Sequence, residues 1–130
     1  MSIRVVRLGS PRAKGEGMRI GTVRRPPRGV PKSRYSALDY YDVWLPILAP
    51  SLATMKLAQT ASEAKDWTRF AAKYKAEMRA PDARHTLALL ARLSQDADFS
   101  VGCYCEDETR CHRSILRRLL LELGAKISSD

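Results

Sequence analysis

The sequence predicts an α/β sandwich, with a mainly parallel sheet of three to five strands flanked by helices in a single domain over residues 1–130. Three observations predict it. Short β-branched segments stand near both ends of the chain, breaker-free helical segments lie between them, and strands separated by helices must be joined by crossovers, which makes them parallel. A chain of 130 residues suits one compact domain, and its 45% apolar content suffices for a core.

Residues 3–8 (Ile-Arg-Val-Val-Arg-Leu) are β-branched, short and followed by Gly9-Ser10-Pro11, so they form the first strand. A polar loop containing Gly15 and Gly17 leads to a second strand over 18–23, which Gly21 interrupts. Residues 24–32 hold three prolines and a glycine, which forbid regular structure and leave four cations on an irregular loop. Residues 40–46 fit either a strand or one helical turn, because a short apolar run does not settle its period.

Helical character begins at Ser51, an N-cap for 52–59. Residues 63–79 place Trp67, Phe70, Ala71, Tyr74 and Met78 on one face at spacings of three and four. These aromatics suit a core stripe better than a base-stacking platform. Pro81-Asp82 opens the next helix, with Leu87, Leu89, Leu90 and Leu93 as its apolar side, and His85 among them is expected at the surface or core edge. Residues 99–105 have strand composition, and a last helix over 111–123 stops at Gly124. Ile115, Leu116, Leu119, Leu120 and Leu123 make its buried face, Thr109 serves as its N-cap, and Arg113, Arg117 and Arg118 are left for solvent or a ligand.

The charge of +9 suggests an anionic partner, and its distribution narrows where to look. Residues 1–34 carry ten Lys/Arg against Glu16 alone and account for all of it; residues 35–130 carry thirteen of each sign. The basic, loop-rich part is 9–36. No apolar run approaches the ~20 residues of a membrane span. Three cysteines within nine residues do not make the even framework of a secreted disulfide scaffold, so a reducing cytoplasm is the expected setting. Internal repeats and low-complexity segments are absent.

The chemistry-bearing stretch is the Cys-rich turn 103–113: a strand ending Cys103-Tyr-Cys105, an acidic turn from Glu106, then Cys111-His-Arg113 opening a helix. Ligands of open α/β sheets bind beyond the carboxyl ends of the strands, and a helix N-terminus there favours an anion or a thiolate. Three readings stand. In the first, Cys105 or Cys111 is an activated thiol while His112 moves a proton and Arg113 pairs charge. This is similar to phosphatase and rhodanese loops, but Arg113 follows Cys105 with seven intervening residues where the phosphatase motif has five, and the acidic turn would repel phosphate. In the second, Cys103, Cys105, Cys111 and His112 hold zinc. Cys103 and Cys105 share a strand face, while adjacent helical Cys111 and His112 diverge by about 100°. In the third, Cys103 is simply core and the acidic run complements the helix dipole.

Several motifs together resemble a family of domains of unknown function, number four-eight-eight, in its short YeaO-like branch. They are Glu16-Gly17 with Arg19; Arg24, Pro27-Arg-Gly-Val30 and Lys32; Trp44-Leu45 with Ala49-Pro-Ser51; Trp67, Phe70, Tyr74 and Glu77; and Cys105-Glu106 with Cys111-His-Arg113, over roughly residues 3–123. The resemblance implies a small Rossmann-like fold and a bacterial or archaeal cytosolic setting, with no established activity. Val23 stands where the family usually has Asp, and Arg25-Pro26 where it has Leu-Trp, which transfers any acidic role to Glu106.

The leading expectation is a cleft formed by Arg24, Arg28, Cys105, Glu106, Cys111, His112 and Arg113 that takes a small anion, such as a nucleotide or phosphorylated metabolite. Arg28 would pair the anion with help from Arg24 and Arg113, and a cysteine with His112 would supply nucleophile and proton transfer. The alternatives are a nucleic-acid-binding module using residues 4–34 and a zinc-stabilised interaction domain. The cleft requires the first motif's strand to neighbour the cysteine strand. No cofactor follows from the residues.

Overall fold

The computed structural model describes residues 1–128. Its strands are β1 (Ile3–Arg7), β2 (Met18–Gly21), β3 (Val43–Trp44) and β4 (Phe99–Cys103), and its α-helices are α1 (Leu52–Gln59), α2 (Ala64–Met78), α3 (Pro81–Leu93) and α4 (His112–Glu122). The sheet runs β1-β4-β2-β3 with every pair parallel, as expected of strands joined by crossovers, and Ile127 adds a bridge to Ile3 at the outer edge. Among the described residues no helix is long and apolar enough to cross a membrane.

Local chemistry sets the helix ends. The Ser51 hydroxyl accepts from the Thr54 amide at 3.2 Å, Glu63 and Asp66 form a reciprocal capping box, Pro81 opens α3, and Gly124 ends the chain's last helix with φ +87°. The unsettled segment 40–46 splits into a two-residue edge strand and a 3₁₀ turn, Pro46–Leu48. β4 ends at Cys103, two residues earlier than its composition predicts, because the Cys103 carbonyl takes the last ladder-like bond, from the Leu8 amide. Leu89 and Leu123 are exposed, against expectation. Leu89 lies between the turns of α3 that present Leu87 and Leu90, and Leu123 is already the C-cap.

The sheet has two unlike faces. Ile3, Val5, Ile20, Phe99 and Val101 alternate onto one, where they pack with Phe70, Tyr74 and Met78 of α2, Leu87 and Leu90 of α3, and Ile115, Leu116 and Leu120 of α4. Tyr74 is wholly buried and satisfies its hydroxyl by donating to the Leu48 carbonyl at 2.6 Å.

The opposite face is covered by loops rather than helices. Arg19, fully buried on β2, donates to both carboxylate oxygens of Glu16 at 2.7 and 2.9 Å, to the Ser10 carbonyl at 2.8 Å and to the Asp39 carbonyl at 2.7 Å. Glu16 also accepts from the Ser100 hydroxyl at 2.7 Å and the Ala13 amide at 3.1 Å. One ion pair thereby fixes residues 10–16, the 39–42 segment and β4. The loops lie close to the strands, and glycines make this possible. A Cβ on Gly21 would meet the Tyr41 ring at 2.4 Å; on the same face, a Cβ on Gly102 would meet the carbonyl of Val6 on the neighbouring strand β1 at 2.6 Å.

Glu16→Ala strands the Arg19 guanidinium in the interior and is expected to cost about 3–5 kcal/mol, read as a lower urea midpoint with unchanged slope. The pair also has a pH signature. Burial raises the Glu16 pKa, but hydrogen bonds from Arg19, Ser100 and Ala13 outweigh it and bring the pKa to about 2 from 4.5. The folded value is the lower one, so the stabilisation is complete above pH 4.5 and is lost as pH falls from there toward 2. Thermal melts across that window should show a steeper loss for the wild type than for Glu16→Ala.

Candidate functional site

β2 and β4 are direct neighbours, so the loop after β2 and the cysteine turn after β4 leave the sheet side by side. With the end of β1 and one side of α1 they enclose a cavity of about 1140 Å³ at the carboxyl ends of the strands. Six cations line it, Arg7, Arg24, Arg25, Arg28, Lys56 and Arg110, and among the described residues no carboxylate does. Leu8, Val23, Phe70, Cys103, Cys111 and His112 form its buried floor, and Tyr40 and Tyr104 add aromatic wall.

The cations differ in freedom. The Arg24 guanidinium is tied down, donating to the Pro50 carbonyl and the Ala49 carbonyl at 3.1 Å each, so it fastens the Pro-Arg-Gly loop to the start of α1. Arg7 donates to the Tyr104 carbonyl at 3.3 Å and pairs with Glu106 at 3.4 Å, both side chains being largely exposed. Arg25, Arg28 and Lys56 are exposed and make no ion pair among the described residues. The backbone of the loop is held by Tyr104, whose hydroxyl donates to the Arg25 carbonyl at 2.8 Å.

At the floor, Cys103 ends β4 on the helix-facing side and Cys111 is the N-cap of α4. Thr109, expected to cap that helix, lies instead in a 3₁₀ turn, Glu108–Arg110, which Asp107 caps by accepting from the Thr109 amide at 3.0 Å. This shift matters for the side chains. Cys111 has extended backbone, φ −134° and ψ 152°, so the helical divergence between neighbouring residues does not apply to Cys111 and His112. The ligand atoms of Cys103, Cys111 and His112 lie within 4.8 Å of one another, all three residues buried, and the two sulfurs are close enough to be paired as a Cys103–Cys111 disulfide, with Cys105 the free cysteine. The His112 Nε2–H donates to the Thr22 carbonyl at 2.7 Å, which turns Nδ1 toward Cys111 Sγ at 3.8 Å. Burial, with the nearby Arg113 charge, lowers the His112 pKa to about 4 despite the bond to Thr22, so the ring is neutral at neutral pH.

The remaining candidates lie elsewhere. Cys105 lines the cavity but is exposed and stands outside the Cys103–Cys111–His112 group. Partial desolvation of its sulfur raises its thiol pKa despite the Arg113 charge, the opposite of activation. Glu106 and Arg113 do not line the cavity. Arg113 is buried, 4% exposed, and braces the turn by donating to the Cys105 carbonyl. Arg117 is engaged by Glu108 at 2.7 and 2.9 Å. Val23, at the family's usual Asp position, is a buried floor residue beside Leu8 and Tyr41.

Sequence reading missed Arg7, Lys56, Arg110, Tyr40 and Tyr104 as lining residues, and Thr22 as the partner of His112. Arg7 was within reach, since the carboxyl-end rule applies to β1 as to β2 and β4. Lys56 had no signal, because the side of α1 that meets the cavity is set by tertiary packing alone.

No curated protein matches the chain, and no solved structure does. The family described as "Active DUF488-N3 subclade" matches it over residues 3–124, a match that does not extend to the YeaO-like branch. With its all-parallel sheet and this match along nearly its whole length, the chain belongs to the DUF488 family.

Proposed function

We propose that the cavity binds a small anionic ligand of the nucleotide or phosphorylated-metabolite class. The observation that carries this reading is the lining: among the described residues, six cations and no carboxylate around about 1140 Å³, at the end of a parallel sheet where ligands of such folds sit. Arg25 and Arg28 meet the anion, with no internal ion pair to break first. Arg24 keeps their loop in place. Tyr40 and Tyr104 offer ring surface for a base or sugar, and the buried Cys103–Cys111–His112 group faces the ligand from the floor.

The charge excess of the N-terminal part favours this local site over a duplex-binding face. Arg19 is neutralised inside the protein by Glu16, and Arg12 pairs with Asp39 at 3.1 Å and Asp42 at 2.9 Å. These basic residues are therefore spent on holding loops, whereas Arg25 and Arg28, which make no ion pair among the described residues, line the cavity.

Inorganic pyrophosphate and adenosine monophosphate, titrated at low salt, are expected to raise the melting temperature of the wild type. Arg28→Ala should weaken the fitted affinity roughly tenfold to hundredfold, the value of a charge-assisted contact, without lowering the melting temperature of the free protein. Shifts that are absent for both probes, or equal in the variant, would overturn the reading. Tighter binding of an oligonucleotide than of either probe, with a steep salt dependence, would replace it with nucleic-acid recognition.

A further inference from the structure

We propose that Cys103 Sγ, Cys111 Sγ and His112 Nδ1 together hold a zinc-class divalent cation whose fourth coordination position opens into the cationic cavity. Cys105 is not one of its ligands. This site stands on its own geometry and does not require the anion reading.

Four observations converge on it. Three soft or borderline donors, all buried, bring their ligand atoms within 4.8 Å of one another. The imidazole is already oriented as a ligand: its Nε2–H is consumed by the Thr22 carbonyl at 2.7 Å, which leaves the Nδ1 lone pair facing Cys111 Sγ at 3.8 Å. A backbone carbonyl on the far ring nitrogen is the usual outer partner of a metal-bound histidine. Thr22 is itself fixed, because its amide and hydroxyl both donate to the Gly102 carbonyl, at 3.0 and 2.9 Å, and the Tyr74 ring packs edge-on against the imidazole at 5.4 Å. The ring can turn little.

The spacing of the cysteines agrees. Their Cα atoms stand 7.9 Å apart, outside the range of roughly 4.4–6.8 Å over which disulfides form. Around a tetrahedral zinc with bonds near 2.3 Å to sulfur, two sulfurs sit about 3.8 Å apart and a sulfur and nitrogen about 3.6 Å apart. The 3.8 Å between Cys111 Sγ and His112 Nδ1 is already close to that, and the Cα separation leaves room for the sulfurs to part. Charge is balanced as well, since two thiolates neutralise a divalent ion. The N-terminus of the eleven-residue α4 adds its dipole to the Cys111 thiolate.

All three ligand residues line the cavity. A set of three protein ligands with one position open to a cavity is the arrangement of zinc sites that bind water or substrate, not of closed structural ones. The fourth ligand is water, or an anion's oxygen.

The test uses the full chain, produced without a polyhistidine tag and handled under reducing conditions. Zinc should be present near one equivalent by elemental analysis, and replacement by cobalt should give thiolate-to-cobalt charge-transfer absorption with tetrahedral d–d intensity. After chelation and denaturation without reductant, all three cysteines should react with a thiol reagent. Cys105→Ser should keep the full metal content, whereas Cys111→Ser and His112→Ala should lose it. If those two variants do not fold, X-ray absorption of the wild-type cobalt form decides, with two sulfurs and one imidazole in the shell expected. A wild type that takes up neither zinc nor cobalt, a single reactive thiol, or equal metal loss in Cys105→Ser would overturn the proposal. Pyrophosphate binding is read separately, so either proposal can fail while the other stands.

Discussion

The buried pair of Glu16 and Arg19 is the interaction on which the rest of this structure depends. A parallel sheet is buried on both faces, yet all the α-helices pack into the core on one of them. The other face must be closed by loops, and loops bring backbone carbonyls that need donors. Arg19 supplies these from the middle of β2, reaching the Ser10 and Asp39 carbonyls while Glu16 cancels its charge. The pair is not there for its own stability, since two charges of this kind seldom repay their desolvation. Its work is to fix where three segments lie. With 39–42 held, Tyr41 packs on Gly21, Tyr40 stands against Tyr104 at 6.2 Å, and Trp44 donates its indole N–H to the Val23 carbonyl at 2.7 Å. Each of these contacts positions the loop that follows β2.

β4 converts that order into a site. It lies between β1 and β2, so the segments leaving the carboxyl ends of all three strands are adjacent, and each brings a cation or a sulfur: Arg7, the Arg24–Arg28 loop, and Cys103. The inner position of β4 also explains its composition. Ser100 and Gly102, on the loop-covered face, are small enough to admit Glu16 and the Val6 backbone, while Phe99 and Val101 fill the helix-packed face. The charge distribution has the same origin. A face closed by loops needs donors for carbonyls, and arginine has five in a fixed fork. Part of the N-terminal basicity is therefore architectural, in Arg12, Arg19 and Arg24, and Arg25 and Arg28 lie on the loop that Arg24 fastens.

What was legible in the sequence follows the same division. Strands and helices governed by period and breakers were readable: the Trp67–Met78 stripe, the Ser51 cap and the Gly124 stop all lie where their chemistry puts them. Adjacency of the basic loop to the cysteine turn was readable as a condition on strand order. The partners of individual side chains were not. Arg113 is legible as a cation after a Cys-His pair, but nothing in its neighbours reveals that it is turned inward onto the Cys105 carbonyl. Glu16 and Arg19 are three residues apart in a segment that reads as loop and strand, and only the fold reveals that they meet in the interior. Cys103, Cys111 and His112 were legible together, with Cys105, as a zinc set; what escaped, for a sharper reason, was the convergence of Cys111 and His112. It depends on Cys111 having extended backbone, and an N-cap shifted by two residues changes the direction of that one side chain entirely.

Placement at the floor also decides how the cysteine group and the cations act on each other. A thiolate pair in a cavity lined by six cations would by itself cancel part of the field that draws an anion inward. With a divalent ion between the sulfurs, the two negative charges are consumed locally and the Arg25 and Arg28 side chains keep their pull. The metal and the anion then favour one another even where water holds the fourth position: each makes the site's electrostatics better suited to the other, which is a coupling free energy and is reciprocal. The cations at the mouth and the donors at the floor are, on this account, parts of one site, placed together because β4 carries one to the other's strand end.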